Sequence, residues 1–157
     1  MGVRFIKEYE INRNTVALIN VGNNKTQVFE LDDTFYVNSS ANKIMEKSCE
    51  YFGSSLSGRQ KGTISLTGIS HKSPIVVEEE SMLIFFPTSS PRLNNCSWIS
   101  TNKIKNYYKN SDFVVIEYES GQKIKLNISY GIIDNQILRS ALLEKNLINR
   151  KNKQKKV

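Results

Sequence analysis

The sequence predicts an α+β domain built mainly on antiparallel β-sheet, with one internal helix and a C-terminal amphipathic helix. Two observations indicate this class. Short β-rich runs follow one another through most of the chain, and two longer segments instead repeat apolar residues at helical spacing. So many strands with so few helices also leave open a sheet that curls into a barrel.

The predicted strands are runs of β-branched, aromatic and alternating apolar residues, separated by turn residues such as Gly22-Asn23-Asn24. The run at 63–67 alternates apolar and polar residues, as a half-buried strand does. The runs at 75–77 and 82–86 flank residues 78–81 and form a hairpin with an acidic tip. The predicted strands are 15–19, 26–31, 34–37, 63–67, 75–77, 82–86, 98–100, 104–109, 113–118 and 123–128.

The internal helix is predicted over 41–52, with Ser39 or Ser40 as its N-cap and Gly53 as its stop. Cys49, on its apolar face, is interpreted as a packed core thiol. The apolar residues at helical spacing are Ile44, Met45, Cys49 and Phe52.

The C-terminal helix is predicted over about 131–149, with Ser129 as its cap. Its apolar face packs either on the body of the protein or on a second copy. The residues assigned to this face are Ile133, Ile137, Leu138, Ala141 and Leu142.

The length of 157 residues fits one globular domain, predicted over 1–149, followed by a basic tail at 150–157 that is predicted to be disordered. The net charge of +7 is concentrated at this end of the chain. Six of the 22 basic residues follow Glu144 without any acid, so the first 144 residues carry 16 basic against 15 acidic groups.

The two cysteines, Cys49 and Cys96, are too few for a disulfide framework, and the N-terminus lacks the pattern of a secretory signal. Reduced thiols in the cytoplasm are therefore expected. No apolar run approaches the roughly 20 residues needed to cross a bilayer.

A basic segment without acids follows the internal helix. Between Tyr51 and Val77 there is no Asp or Glu, while Arg59, Lys61 and Lys72 lie among glycines and hydroxyl residues. Such a segment suits an anion, because glycine lets the backbone approach a ligand and N–H groups and hydroxyls bond phosphate oxygens. The alternative is a solvated surface loop.

The sequence contains no recognisable catalytic motif. The spacing of Gly53 and Gly58 imitates a phosphate-binding P-loop, but the lysine and hydroxyl residue of that motif are replaced, and helix–loop–strand order is the reverse of what it needs. Ser57 and His71 lack a nucleophile elbow. One histidine and two distant cysteines lack zinc-site spacing. No catalytic residue, metal or cofactor is predicted.

Several sequence blocks, in order and spacing, resemble the ComK family, competence transcription factors of Gram-positive bacteria. The similarity extends from about residue 9 to residue 147. The blocks are DTFYVN at 33–38, KSCEYFGSS at 47–55, GRQKGT at 58–63, ISHKSPI at 69–75, FFPTSS at 85–90, CSWIS at 96–100 and ISY at 128–130.

The resemblance implies a cytoplasmic activator, located at the nucleoid when bound, that recognises AT-rich promoter DNA. It implies paired A-tract/T-tract boxes contacted largely through the minor groove, and homodimers that pair on DNA to activate genes for DNA uptake. RNA polymerase is a candidate partner. Longer family members carry a further C-terminal segment used for adaptor-dependent proteolysis, in place of which this sequence has a lysine-rich tail.

Arg59 is the leading candidate to enter a DNA groove, because A-tract minor grooves are narrow and strongly negative and A·T pairs show only acceptors there. Its alternative is a surface arginine without a partner. His71 either extends the contact or bonds the backbone. The predicted DNA-binding residues of this segment are Ser54, Ser55, Gly58, Arg59, Lys61, Thr63, His71 and Lys72.

A second polar loop at 87–97 adds Arg92, Asn94 and Asn95 as candidate donors to bases or phosphates. Trp98 either stacks on DNA or, as a single Trp beside β residues, belongs to the core. The sequence also allows a non-catalytic module that binds RNA or another polyanion.

Overall fold

A computed structural model of the chain describes residues 3–93 and 95–155. The α+β class is confirmed, with two β-sheets and three helices in the described residues. The elements are β1 (Phe5–Ile6), β2 (Thr15–Gly22), β3 (Lys25–Glu30), β4 (Thr34–Val37), α1 (Ala41–Tyr51), α2 (Leu56–Thr67), β5 (Ile75–Glu78), β6 (Leu83–Pro87), β7 (Trp98–Ser100), β8 (Ile104–Asn110), β9 (Phe113–Tyr118), β10 (Lys123–Leu126) and α3 (Tyr130–Lys155).

The larger sheet has seven strands in the order β1-β4-β3-β2-β7-β6-β5, and the smaller has three in the order β10-β9-β8. All pairs are antiparallel except β1 with β4, and β1 has no counterpart among the predicted strands. The described strands do not close into a barrel, so that alternative is wrong.

Both faces of the larger sheet are buried, because adjacent residues of its central strands enter different cores. Trp98 packs with α1 in one cluster, while its neighbour Ile99 packs with β9, β10 and the start of α3 in another. Phe85 and Phe86 divide in the same way. Since successive side chains of a strand point to opposite faces, continuous burial along β6 and β7 requires this cover on both sides.

The prediction for α1 is confirmed. Ser40 is the N-cap, and its hydroxyl accepts a hydrogen bond from the Lys43 amide at 3.2 Å. Gly53 follows the helix in the left-handed region at φ 86°, which is open to glycine at little cost. Cys49 is fully buried in the core, as predicted.

The prediction for residues 53–67 is wrong in its structure. A glycine loop and a strand at 63–67 were expected, and the chain instead forms α2, so there are two internal helices rather than one. Ser55 caps its start, and Gly68 ends it at φ 79°. The pattern misleads because α2 buries only Thr63 and contains two glycines, which are poor helix formers.

Helix α3 supplies part of what the sequence of α2 lacks. The last carbonyls of a helix have no partner within it. The Asn146 amide donates to the Leu66 carbonyl at 2.7 Å, and the Arg150 guanidinium donates to the Ser65 carbonyl at 2.9 Å. The end of α2 is therefore stabilised by side chains about 80 residues away in sequence.

The buried face of α3 differs from the predicted one. It consists of Ile133, Gln136, Ser140, Leu143 and Leu147, whereas Leu138 and Leu142 are exposed. Two polar residues can be buried because their hydrogen bonds are made. A disordered tail from residue 150 was expected, yet α3 continues through Lys155. No helix in the described ranges has the length and hydropathy of a membrane span.

Candidate nucleic-acid interface

Three segments that are separate in sequence line one open groove of about 540 Å³. One wall is α2, and the other is formed by the turns at 70–73 and 90–92. None of the described residues that line the groove is acidic. Its basic side chains are Lys61, His71, Lys72 and Arg92.

The residues of α2 that line the groove lie at helical spacing. Ser57, Lys61 and Ile64 follow one another at intervals of four and three positions, and Gln60 lies beside them. Lys61 is exposed. The predicted candidate Lys61 therefore reaches the groove from a helix rather than from a thin loop.

Ser55 and Gly58 form the start of α2. The Ser55 hydroxyl accepts a hydrogen bond from the Gly58 amide at 2.9 Å. A Cβ atom at Gly58 would lie 3.0 Å from the Ser55 hydroxyl oxygen and 3.1 Å from that of Ser54. Gly58 lies within α2, and its lack of a side chain makes room for both serine hydroxyls. It does not act as a flexible hinge.

Arg59 is turned away from the groove, toward the tip of the β5–β6 hairpin. Its side chain is 19% exposed, and Nη1 lies 3.4 Å from Oε1 of Glu79. Lys151 approaches the other oxygen of the same carboxylate at 3.7 Å. The Nε atom of Arg59 is buried without a hydrogen-bond partner in the described structure. The structure does not bring this leading candidate together with Lys61.

Thr63 follows Arg59 by one helical turn and faces the interior. It is 1% exposed, and its hydroxyl donates to the Pro74 carbonyl at 2.6 Å. This bond joins α2 to the chain entering β5. The hydroxyl of Thr63 is therefore not available to a phosphate in this structure.

Replacing Thr63 by valine is expected to lower the free energy of unfolding by about 1–3 kcal/mol, because the Pro74 carbonyl would remain buried without a donor. Urea denaturation measures this change, and Thr63→Ser, which keeps the hydroxyl, is the control with the smaller loss. A variant with wild-type stability and a reduced salt dependence of DNA binding would instead indicate a phosphate contact.

The turn at 70–73 presents two basic side chains and hides its carbonyls. The side chains of His71 and Lys72 are exposed. The His71 carbonyl accepts a hydrogen bond from Arg139 at 2.6 Å, and the Lys72 carbonyl accepts one from Gln136 at 3.0 Å. Lys72 has a φ of 48°, a backbone angle that residues other than glycine rarely adopt.

The second polar loop contributes Arg92 to the groove, and Asn95 is exposed nearby in sequence. The predicted contact through Asn94 lies outside the described residues. Trp98 is fully buried, so its assignment to the core is confirmed. Its Nε1 atom donates to the Asn42 side chain at 2.9 Å, and the amide of Asn42 donates to the Pro91 carbonyl at 2.8 Å. The core thus holds this loop beside the groove.

Both cysteines are buried, and neither has the lowered pKa of a nucleophilic thiol. Burial raises the pKa of the Cys49 thiol to about 11, and it also raises the pKa of Cys96. Thiols with such pKa values stay protonated near neutral pH, and the thiolate is the reactive form. The described residues contain no group of three or more His, Cys, Asp or Glu side chains that could hold a metal ion.

Several residues in or behind the groove were not predicted from the sequence as DNA-binding candidates. Ser57, Gln60 and Ser70 lie within the acid-free segment, whose composition was the available signal. Gln136 and Arg139, which support the turn from α3, carried no such signal because their role depends on a contact between distant parts of the chain.

Fold and groove together define the class: an α+β domain with a basic surface groove beside a short helix. The chain belongs to the ComK family, whose model, described as ComK protein, matches residues 6–152. It is 36% identical over 142 residues to the competence transcription factor of Bacillus subtilis (strain 168), and the match covers 88% of this chain and 74% of that protein. No solved structure matches the chain with significance.

Proposed function

We propose that this protein is a sequence-specific DNA-binding transcriptional activator of competence genes, acting on AT-rich DNA with paired A-tract/T-tract boxes. The observation that carries the proposal is the groove, which gathers Lys61, His71, Lys72 and Arg92 without a carboxylate in its described lining. The relative in Bacillus subtilis is named a competence transcription factor. Family membership and groove chemistry therefore support the same function.

Contact with DNA is proposed to occur largely through the minor groove, by the turns rather than by α2. A helix with its side chains is about 10–12 Å across, whereas the minor groove of B-DNA is about 6 Å wide. Lys72 and Arg92 project from turns and suit the strongly negative minor groove of an A-tract. Lys61 and the hydroxyls of α2 then contact the adjacent phosphates, which set the register.

Two further predicted residues, Asn95 and Arg59, are also proposed to contact DNA. Asn95, three positions after Arg92, is exposed and can donate to DNA. Arg59 would have to exchange Glu79 for a phosphate before it contacts DNA.

Paired boxes call for a homodimer, because a two-fold protein presents the same groove to two half-sites. RNA polymerase is the partner through which an activator of this kind would act.

A binding panel at physiological salt tests the proposal. We expect an AT-rich duplex with paired A-tracts to bind at least about 10³-fold more tightly than a GC-rich duplex, a separation typical of specific recognition. A minor-groove ligand should compete, whereas bulky groups added in the major groove should have little effect. Equal affinity for both duplexes, single strands and RNA would reject specific DNA recognition in favour of a general polyanion-binding module.

A further inference from the structure

We infer that Gln136 and Arg139 of α3 are positioning residues that set the shape of the basic groove from behind, without contacting DNA. The inference rests on the proposed function and adds a determinant that lies in another part of the chain. It follows from the hydrogen bonds by which one helix holds the turn at 70–73 and the end of β6, which leads into the turn at 90–92.

The first step is the attachment of the turn at 70–73. Arg139 donates from Nη2 to the His71 carbonyl at 2.6 Å and from Nη1 to the Lys72 carbonyl at 3.2 Å. The planar guanidinium can serve two successive carbonyls because its donors form a rigid fork. Lys72, at a φ of 48°, occupies a region that is unfavourable for a side chain with a Cβ atom. External hydrogen bonds therefore stabilise a turn that its own residues do not favour.

The second step joins this turn to the segment that leads into the other one. Gln136 is 2% exposed, and its amide donates at 3.0 Å both to the Lys72 carbonyl and to the Pro87 carbonyl. Pro87 ends β6, from which the chain continues to Arg92. One buried amide thus fixes the distance between the bases of the two turns.

The third step explains why the two residues act as a unit. An amide side chain can be turned so that its oxygen and nitrogen exchange places, and its partners decide the orientation. Arg139 Nη1 donates to Oε1 of Gln136 at 2.9 Å, which commits the nitrogen of that amide to the two carbonyls. Loss of Arg139 would therefore loosen both attachments, and Lys72 and Arg92 would no longer be held at one separation.

The test is Arg139→Lys, which keeps the positive charge but cannot reproduce the fork. We expect its affinity for the AT-rich duplex to fall about tenfold, with the slope of log affinity against log salt unchanged, because no phosphate contact is lost. The matched control is Arg4→Lys, the same substitution at an arginine that donates to Asp33 at 2.6 Å and lies outside the lining of the groove. It should bind the AT-rich duplex like the wild type.

His71 provides a readout that needs no DNA. It is the single histidine of the chain, so its imidazole resonances can be assigned without ambiguity in an NMR spectrum of the free protein. We expect Arg139→Lys to shift these resonances and Arg4→Lys to leave them in place, with urea denaturation confirming that both variants are folded.

Two results with Arg139→Lys would overturn the inference: unshifted His71 resonances, or wild-type affinity despite a shift. A third would be a loss of affinity that appears only in Arg139→Gln, where the charge is removed, together with a lower salt slope. The last result would make Arg139 a direct phosphate contact. If the wild type shows no preference for AT-rich DNA, the proposed function fails, whereas the His71 resonances still decide whether Arg139 positions the turn.

Discussion

Simultaneous replacement of Lys61, Lys72 and Arg92 by alanine is expected to reduce binding of the AT-rich duplex to the nonspecific level. These residues supply three of the four basic side chains of the groove, and they come from its three lining segments. Each direct contact of this kind is worth about 1–3 kcal/mol, and each lost phosphate contact reduces the salt slope by about one. Titration at several salt concentrations measures both quantities.

The matched control for charge is alanine at Lys105, Lys109 and Lys123. These three lysines are exposed on β8 and β10 of the smaller sheet, outside the lining of the groove. The control changes the net charge by the same amount, and it should weaken the binding of all nucleic acids slightly and equally. If both triple variants bind the AT-rich duplex alike, binding depends on overall charge and the groove is not the interface.

Replacement of Trp98 by alanine is expected to lower the free energy of unfolding by about 3–5 kcal/mol, as truncation of large buried side chains does. Trp98 is fully buried in the core cluster that includes Phe85, Met45 and Leu18. A typical domain is stable by only about 5–15 kcal/mol, so this loss approaches the whole stability. Urea denaturation followed by far-UV circular dichroism is the measurement, because the variant lacks the chain's one tryptophan.

Trp98→Ala should also loosen the turn at 90–92, since the series of hydrogen bonds from Trp98 through Asn42 to Pro91 would be broken. Tyr51→Ala is the control: Tyr51 is an aromatic residue with 68% exposure, and surface substitutions of this kind usually change stability by less than about 0.5 kcal/mol. Wild-type stability of Trp98→Ala combined with weaker DNA binding would contradict the core assignment and favour stacking on DNA.

The strands and α1 were predictable because their signals are local. Alternating and β-branched runs predicted β2 to β10 apart from their ends, and Ser40 and Gly53 marked the limits of α1 within the chain itself. By contrast, α2 was missed. Two glycines and one buried residue leave it almost without a helical pattern, and part of its stability comes from Asn146 and Arg150. A local pattern cannot report hydrogen bonds from the other end of the chain.

The candidate site divides in the same way. Composition identified the acid-free segment and the second polar loop, which supply the three lining segments of the groove, but it could not distinguish Arg59 from Lys61. Two residues apart on a helix, these side chains point in different directions, so Lys61 lines the groove while Arg59 approaches Glu79. Because a loop was predicted at this position, the sequence could not show which of the two side chains lines the groove of the protein.

The sequence by itself determined the α+β class, the acid-free basic segment and the resemblance to the ComK family, because each depends on residue type and short-range spacing. Only the tertiary structure decided that three segments meet in one basic groove, which side chains of α2 face it, and that α3 holds the turn at 70–73. Those features depend on which distant surfaces pack together, and packing between distant surfaces leaves no periodic trace in a single sequence.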